Sequence, residues 1–237
     1  NIRERLNMPI SAFITVRTSS SRLQKKCLLN FGEFNVLEHV IYRCKTGGLD
    51  PVVCTTDKQG DNIIDEISKR LGVKIFRGSE RNKLKRWGDC CDQFHIDAFH
   101  TVDCDDPFFD PHEVKRSFTF LRDGGYDMVA PTQSSSSGGA AMGYSLTRDI
   151  VIEAVALAKA DEDTEMMWHW LEKVEFLNKT ILPEKNNNLI QARLTLDYEE
   201  DYWLLCSLVN ILGNTVSRKG VENFLRDNPD FYKINWF

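Results

Sequence analysis

The chain has 237 residues, 42% of them apolar, which is enough to bury the core of one large α/β unit. Lys and Arg total 30 against 35 Asp and Glu, and the formal net charge of −5 excludes a general nucleic-acid binder with a net basic face. No apolar run approaches the ~18 residues needed to cross a membrane, so no membrane insertion is expected.

The predicted elements alternate in type. Pro9 to Val16 is a short apolar run and reads as a buried strand. A polar, basic loop follows, from Arg17 to Lys26. Val36, Leu37, Val40, Ile41 and Cys44 recur at helical spacing, and Gly47-Gly48 ends that helix. Pro51 to Thr55 is a second strand. Ile63, Ile64, Ile67 and Leu71 form a second helical stripe, closed by Gly72. Val73 to Phe76 is a third strand, Leu84 to Phe94 a helix, and Ala98 to Val102 a fourth strand that runs into Asp103-Cys104-Asp105-Asp106-Pro107. Thr132 to Gly139, rich in Ser and Gly, reads as a flexible active-site loop. Arg148 to Lys159 and Glu165 to Leu177 read as helices, and 145–190 as a region for substrate or dimer contacts. Lys185 to Asn188 reads as a turn, Leu189 to Leu196 as a strand ending at Asp197, and Glu199 to Leu212 as a helix.

Strand and helix repeated in this way predict a single α/β domain over 1–237, with a mostly parallel sheet and helices on both faces. Ligands of such sheets bind at the carboxyl ends of the strands. The two unusual polar clusters, after Val16 and after Val102, both fall there.

The seven cysteines, Cys27, Cys44, Cys54, Cys90, Cys91, Cys104 and Cys206, form no CxxC pair. They fit free thiols in a reducing, cytoplasmic setting. The opening Asn1-Ile2-Arg3-Glu4-Arg5 is more charged than the start of a signal peptide, and the lack of an initiator Met leaves open that this is a piece of a longer chain. His39, His95, His100, His112 and His169 show no zinc spacing. Trp168 and Trp170, with Met166 and Met167, fit a helical core stripe better than a sugar pocket.

The loop Arg17-Thr18-Ser19-Ser20-Ser21-Arg22-Leu23-Gln24-Lys25-Lys26 gathers cations and hydroxyls just after the first strand. Small hydroxyl residues leave backbone N–H groups free to cradle phosphate, Arg offers a planar fork, and Lys a point charge. A solvated basic turn is the alternative reading. Asp103, Asp105 and Asp106 offer hard oxygens of the kind Mg2+ takes beside phosphates. Helix capping is the alternative for Asp110 and Asp197.

A strand followed by Arg-x-x-Ser-x-Arg-Leu-x-x-Lys resembles the nucleotide loop of the cytidylyltransferases, most closely the spore-coat polysaccharide type related to CMP-sugar synthetases. The resemblance continues in Val36-Leu37-Glu38-His39-Val40-Ile41, Gly72 to Glu80, Asp105-Asp106-Pro107-Phe108-Phe109-Asp110 and Leu194-Thr195-Leu196-Asp197. It implies a Rossmann-like sheet of the nucleotide-diphospho-sugar transferase kind. It implies transfer of CMP from CTP to an anionic sugar acid, with pyrophosphate released. Arg17, Arg22 and Lys26 would neutralise the triphosphate, and Asp105 and Asp197 would hold Mg2+. Thr15, Val16, Ser19, Ser20, Ser21, Arg77, Ser79, Arg86 and Asp103 complete the implied nucleotide site, and a homodimer is left open. The chain departs from the family at Ser19, at Gln24-Lys25 where Pro-Gly is usual, and at Gly138 to Gly143, where an acidic pair is missing. Two rival readings stand beside this one. A glycosyltransferase would use Asp103-Cys104-Asp105 as a DxD motif, and a non-catalytic relative would only bind nucleotide.

Overall fold

The computed structural model describes residues 9–159, 162–185 and 192–235. Its centre is a seven-stranded sheet in the order β5-β4-β1-β6-β8-β7-β9. These strands are β1 (Ser11–Thr15), β4 (Asp50–Thr56), β5 (Lys74–Gly78), β6 (Ala98–Asp103), β7 (Met128–Ala130), β8 (Ser145–Thr147) and β9 (Lys179–Ile181). A two-stranded ribbon, β2 (Asn30–Phe31) with β3 (Phe34–Asn35), stands apart. β5, β4, β1 and β6 are mutually parallel, and β7 and β9 are parallel to each other. β8 is antiparallel to both β6 and β7, so it joins the two parallel blocks. The sheet is mostly parallel, as the alternation of elements predicts.

Helices cover both faces because successive side chains of a strand point to opposite sides. In β1, Ala12 and Ile14 enter one buried cluster and Phe13 enters the other. The first cluster takes α1 (Val36–Thr46), α2 (Asn62–Arg70), α4 (Pro111–Gly124), α7 (Glu199–Leu212) and α8 (Arg218–Asp227). The second takes α3 (Lys83–Phe94), α5 (Arg148–Leu157) and the short α6 (Trp168–Leu171). Local signals start these helices. Asn35 and Glu38 form a capping box on α1, Asn82 caps α3, and Asp110 caps α4 with Pro111 at its first position. No helix among the described residues is long and apolar enough to cross a membrane.

The structure departs from the sequence expectations in the second half. The helix expected over Glu165 to Leu177 shrinks to Trp168–Leu171. Lys179 explains the stop: its ammonium takes the carbonyls of Glu172 at 2.7 Å and Val174 at 2.6 Å, which a continuing helix would need for itself. Met167 and Leu171 are buried there, whereas Trp168 and Met166 are exposed. No strand forms over residues 192–196; Leu194 and Leu196 donate their N–H groups to the carbonyls of Gly138 and Asp105 instead of to a sheet neighbour. The expectations for 186–191 and for the first residues lie outside the described part. Strands β7, β8 and β9 and helices α4 and α8 appear beyond those expected.

Residues 132–139 form a tight turn. The Ser135 hydroxyl accepts from the N–H groups of Ala141 and Met142, and Arg218 reaches the carbonyls of Gly139 and Ala140. None of these turn residues lines the cavity at the carboxyl ends of the central strands.

Candidate active site

A cavity of about 470 Å³ opens at the carboxyl ends of the central parallel strands. β1 delivers Thr15 and the loop after it, β5 leads to Glu80 and the start of α3, and β6 delivers Asp103, Cys104 and Asp105. Thr15 is set by the Trp87 indole, which donates to its hydroxyl at 3.1 Å. The basic loop is anchored from below by Asp61, whose carboxylate accepts from the Thr18 N–H at 2.8 Å and hydroxyl at 2.7 Å, and from the hydroxyls of Thr55 and Thr56. Burial works against this carboxylate, yet the bonds from Thr56 and Thr18 keep its pKa below the ordinary value.

Lys26 is the hub of one end. Its ammonium lies 2.7 Å from Asp105, 3.0 Å from Asp197 and 2.8 Å from the Leu196 carbonyl. The two aspartates, far apart in sequence, therefore meet on one cation. What closes the distance is a backbone bond: the Leu196 N–H donates to the Asp105 carbonyl at 2.7 Å, strapping the second loop onto the first. Asp197 also takes Arg22 at 2.9 Å and Arg193 at 3.3 Å. It is not the cap of α7: Tyr198 holds the N-cap position, and Asp201 at N3 accepts from the N–H groups of Asp197 and Tyr198. Burial opposes the charge of Lys26, but Asp105 and Asp197 outweigh it and hold its pKa above the ordinary value. Burial likewise pushes the Asp105 carboxyl up, against the pull of Lys26.

Of the residues singled out in the sequence, Thr15, Val16, Arg17, Ser19, Ser20, Ser21, Arg22, Lys26, Arg86, Asp103 and Asp105 line the cavity. Asp197 reaches it only through Lys26 and Arg22. Arg77 and Ser79 are not among its lining residues. The Arg77 guanidinium turns outward to the carbonyls of Thr56 and Lys58 and to Asn62, tying the β4 loop to β5. The Ser79 hydroxyl accepts from the Asn82 N–H and shapes the turn before α3.

Three charged lining residues were outside the predicted site set: Glu80, Lys83 and Glu165. Lys83 is buried, 3.2 Å from Asp103 and 3.9 Å from Glu165, and these carboxylates outweigh its desolvation and raise its pKa. Glu165 arrives because Thr164 is buried against the α3 cap: its hydroxyl meets the Asn82 side chain at 3.1 Å and the Leu84 N–H at 3.1 Å. Lys83 follows the capping Asn82 at the end of a strand-to-helix turn, a local signal that could have singled it out. Nothing local marks Glu165.

Carboxylate oxygens of Asp103, Asp105 and Asp106 come within 4.8 Å of one another, a hard donor set suited to a divalent cation. Asp106 is held by the Thr195 hydroxyl at 2.9 Å.

Comparison with known proteins places this geometry. The spore coat polysaccharide biosynthesis protein SpsF of Bacillus subtilis is 25% identical over 236 residues, covering 92% of this chain and 94% of that one. The 3-deoxy-manno-octulosonate cytidylyltransferase of Rickettsia canadensis is 26% identical over 129 residues, 52% of this chain and 51% of that one. Among solved structures, a cytidylyltransferase from Leptospira borgpetersenii shares the fold, with a TM-score of 0.85 at 23% identity over 98% of this chain and 99% of that one. The cytidylyltransferase family model matches residues 11–199. That span takes in every residue lining the cavity and both carboxylate loops, and the chain belongs to the cytidylyltransferase family of CTP-dependent nucleotidyltransferases.

Proposed function

We propose that this protein transfers CMP from CTP to a sugar acid and releases pyrophosphate, with Mg2+ as its cofactor. The observation that carries the reading is the Asp105–Lys26–Asp197 bridge at the edge of a cavity walled by Arg17, the serines and Arg22. Similarity to the spore coat polysaccharide biosynthesis protein SpsF and to the 3-deoxy-manno-octulosonate cytidylyltransferase supports it. So do the free cysteines, six of them buried, for an enzyme of the reducing cytoplasm.

The donor set fits the metal. Asp105 would hold Mg2+, with Asp103 on its own turn or Asp197 across from it. The ion supplies charge neutralisation at the phosphate oxygens when bound. The rest falls to the chain. Backbone and hydroxyl groups of Ser19 to Ser21 and the cations Arg17, Arg22 and Lys26 fix the triphosphate. An acceptor hydroxyl oxygen bonds to the α-phosphorus, and the bond from that phosphorus to the bridging oxygen of the β-phosphate breaks. Pyrophosphate departs with the electron pair, and the hydroxyl proton passes to solvent. Positioning and fixed charge suffice, and no covalent intermediate is required.

The test is pyrophosphate release with each of the four nucleoside triphosphates, Mg2+ and a series of sugar acids. Release should need CTP, the metal and an acidic sugar together. Equal release with UTP, or release that ignores the acceptor, would overturn the reading.

A further inference from the structure

Two lysines face the acidic turn after β6: Lys26 pairs with Asp105, and Lys83 pairs with Asp103. They are held differently. The Lys26 ammonium meets three acceptors, Asp105 at 2.7 Å, Asp197 at 3.0 Å and the Leu196 carbonyl at 2.8 Å. That matches the three donors of an ammonium. Among the described residues Lys83 makes one hydrogen bond, to Asp103, and it is long at 3.2 Å. A second carboxylate, Glu165, lies 3.9 Å away, outside hydrogen-bond range. The two distances differ by 0.7 Å, so a small shift of the ammonium exchanges one partner for the other.

The surroundings suit such an exchange. The Lys83 side chain is buried, with its ammonium 5.1 Å from the centre of the Trp87 ring. Burial opposes its charge, but Asp103 and Glu165 keep it protonated. Glu165 is half-exposed, and its only other printed ion pair, with Arg17, is at 3.6 Å, so its oxygens have room for a nearer donor. Its neighbour Thr164 is fastened to the start of α3, the helix that begins at Lys83, and the loop therefore holds the carboxylate beside the lysine.

Asp103 answers to two cations. Its carboxylate belongs to the set with Asp105 and Asp106 whose oxygens lie within 4.8 Å of one another. A divalent ion on Asp103 would sit about 2 Å from an oxygen of the group that Lys83 touches. Two cations on one carboxylate repel, and bulk salt screens such a buried pair poorly.

We propose that Lys83 is a positioning residue for the metal, holding Asp103 while the site is without its ion and passing to Glu165 when a divalent cation takes that carboxylate. This rests on the acidic turn being the Mg2+ site and adds the residues that set how tightly the ion is held. The signs follow directly. Lys83→Met removes a competitor, so divalent affinity should rise. Glu165→Gln removes the second partner and leaves Lys83 on Asp103, so affinity should fall. Glu165→Gln should add nothing once Lys83 is gone, because it acts only through the lysine.

The experiment titrates the full chain with Mn2+ alone, without nucleotide or acceptor, and reads free Mn2+ by electron paramagnetic resonance. The proteins are the wild type, Lys83→Met, Glu165→Gln and the double variant. Lys85→Met serves as the charge control, since it removes an exposed lysine paired with Asp89 on the same helix. Melting curves without metal check that each variant folds. Should Lys83→Met fail to fold, Lys83→Gln replaces it, keeping a donor for Asp103 without the charge. The Kd should drop on the order of 10-fold in Lys83→Met and rise about 3- to 10-fold in Glu165→Gln. The double variant should match Lys83→Met, and Lys85→Met should match the wild type.

An unchanged or weaker affinity in the folded Lys83 variant overturns the proposal and leaves the lysine a buttress of Asp103. An equal loss from Glu165→Gln in both backgrounds also overturns it, since the carboxylate would then act by its field and not through Lys83. A gain in Lys85→Met as large as that in Lys83→Met does the same. Mn2+ bound by none of the proteins overturns the metal reading and this one with it, whereas binding without the expected pattern overturns this one alone. The expected pattern in a protein that turns over no CTP would sink the cytidylyltransfer reading and leave the exchange standing.

Discussion

At the Asp105 end of the cavity every charge has a partner within the chain, and at the Arg86 end one does not. Lys26 is held by two carboxylates and a carbonyl, and Lys83 by Asp103 and Glu165. Arg86 has only the Ser79 carbonyl. The first arrangement is rigid and preorganised, but an incoming phosphate must compete with protein carboxylates for the same ammonium. The second has one internal contact, the bond from Nη1 to the Ser79 carbonyl, and no carboxylate partner. The cavity thus has an end whose cations carry carboxylate partners and an end whose cation carries none among the described residues.

The sharpest way to break this comparison is at the carboxylates. Asp105→Asn should lower kcat/KM on the order of 10²- to 10³-fold, and Asp197→Asn nearly as much. If both serve one ion on one step, the double variant should be little worse than the more damaging single. Turnover measured against Mg2+ concentration checks this, and strictly multiplicative losses would separate the two residues.

Lys26→Ala comes next. One lost charge-assisted contact is worth about 1.5–3 kcal/mol, so kcat/KM should fall by about 10²-fold at most. The variant also leaves Asp105 and Asp197 facing each other without their shared cation, so its activity should depend more steeply on Mg2+ than that of the wild type. Steady-state kinetics at several metal concentrations would show it. Wild-type values in a folded variant would reduce Lys26 to a surface pin.

Asp61→Asn should act more gently, because Asn still offers one oxygen to Thr18. Loss of the charge should loosen the basic loop and raise KM for CTP by about tenfold, with kcat nearly unchanged. A change in kcat alone would contradict an anchoring role.

The smallest effect expected is on stability alone, and it comes from beneath the carboxylate end. The His39 Nε2 lies 3.0 Å from the Pro107 carbonyl and its Nδ1 lies 3.0 Å from the Asn214 side-chain nitrogen. The Asn214 oxygen accepts from the Glu33 N–H, so its nitrogen faces the ring and donates. Nε2 therefore carries the proton and Nδ1 accepts, which requires a neutral ring. Burial, then Arg43, lowers the pKa of His39 to about 4, and burial lowers that of His100 to about 3. In the unfolded chain each titrates near about 6.5. As pH falls, the unfolded state takes up these protons first. Their contribution is fully present above about pH 6.5 and is lost as pH falls toward the folded values. Urea midpoints should fall steadily from pH 6.5 to 4, and a flat profile over that range would show that these rings are not held neutral.

The first half of the chain was legible because its information is local. Apolar runs ending in polar loops gave β1, β4, β5 and β6, and apolar residues at helical spacing with glycine stops gave α1 and α2. The cation-rich loop after β1 and the acidic turn after β6 could be placed at strand ends without coordinates, since parallel strands present their carboxyl ends on one edge. The second half resisted for the opposite reason. Residues 192–196 spend their N–H groups on distant loops, and Lys179 cuts short a helix whose periodicity runs past Leu171. Such contacts leave no period in the sequence.

The same division holds within the site. Sequence by itself determined which residue types gather after β1 and β6, because strand ends and loop chemistry are set by neighbouring residues. Only the tertiary structure decided that Asp197 shares Lys26 with Asp105, that Thr164 carries Glu165 to Lys83, and that Arg77 turns away while Arg86 faces inward unpaired. Each of those outcomes depends on which groups across the fold offer a hydrogen bond or a counter-charge, and that is fixed only when the layers pack.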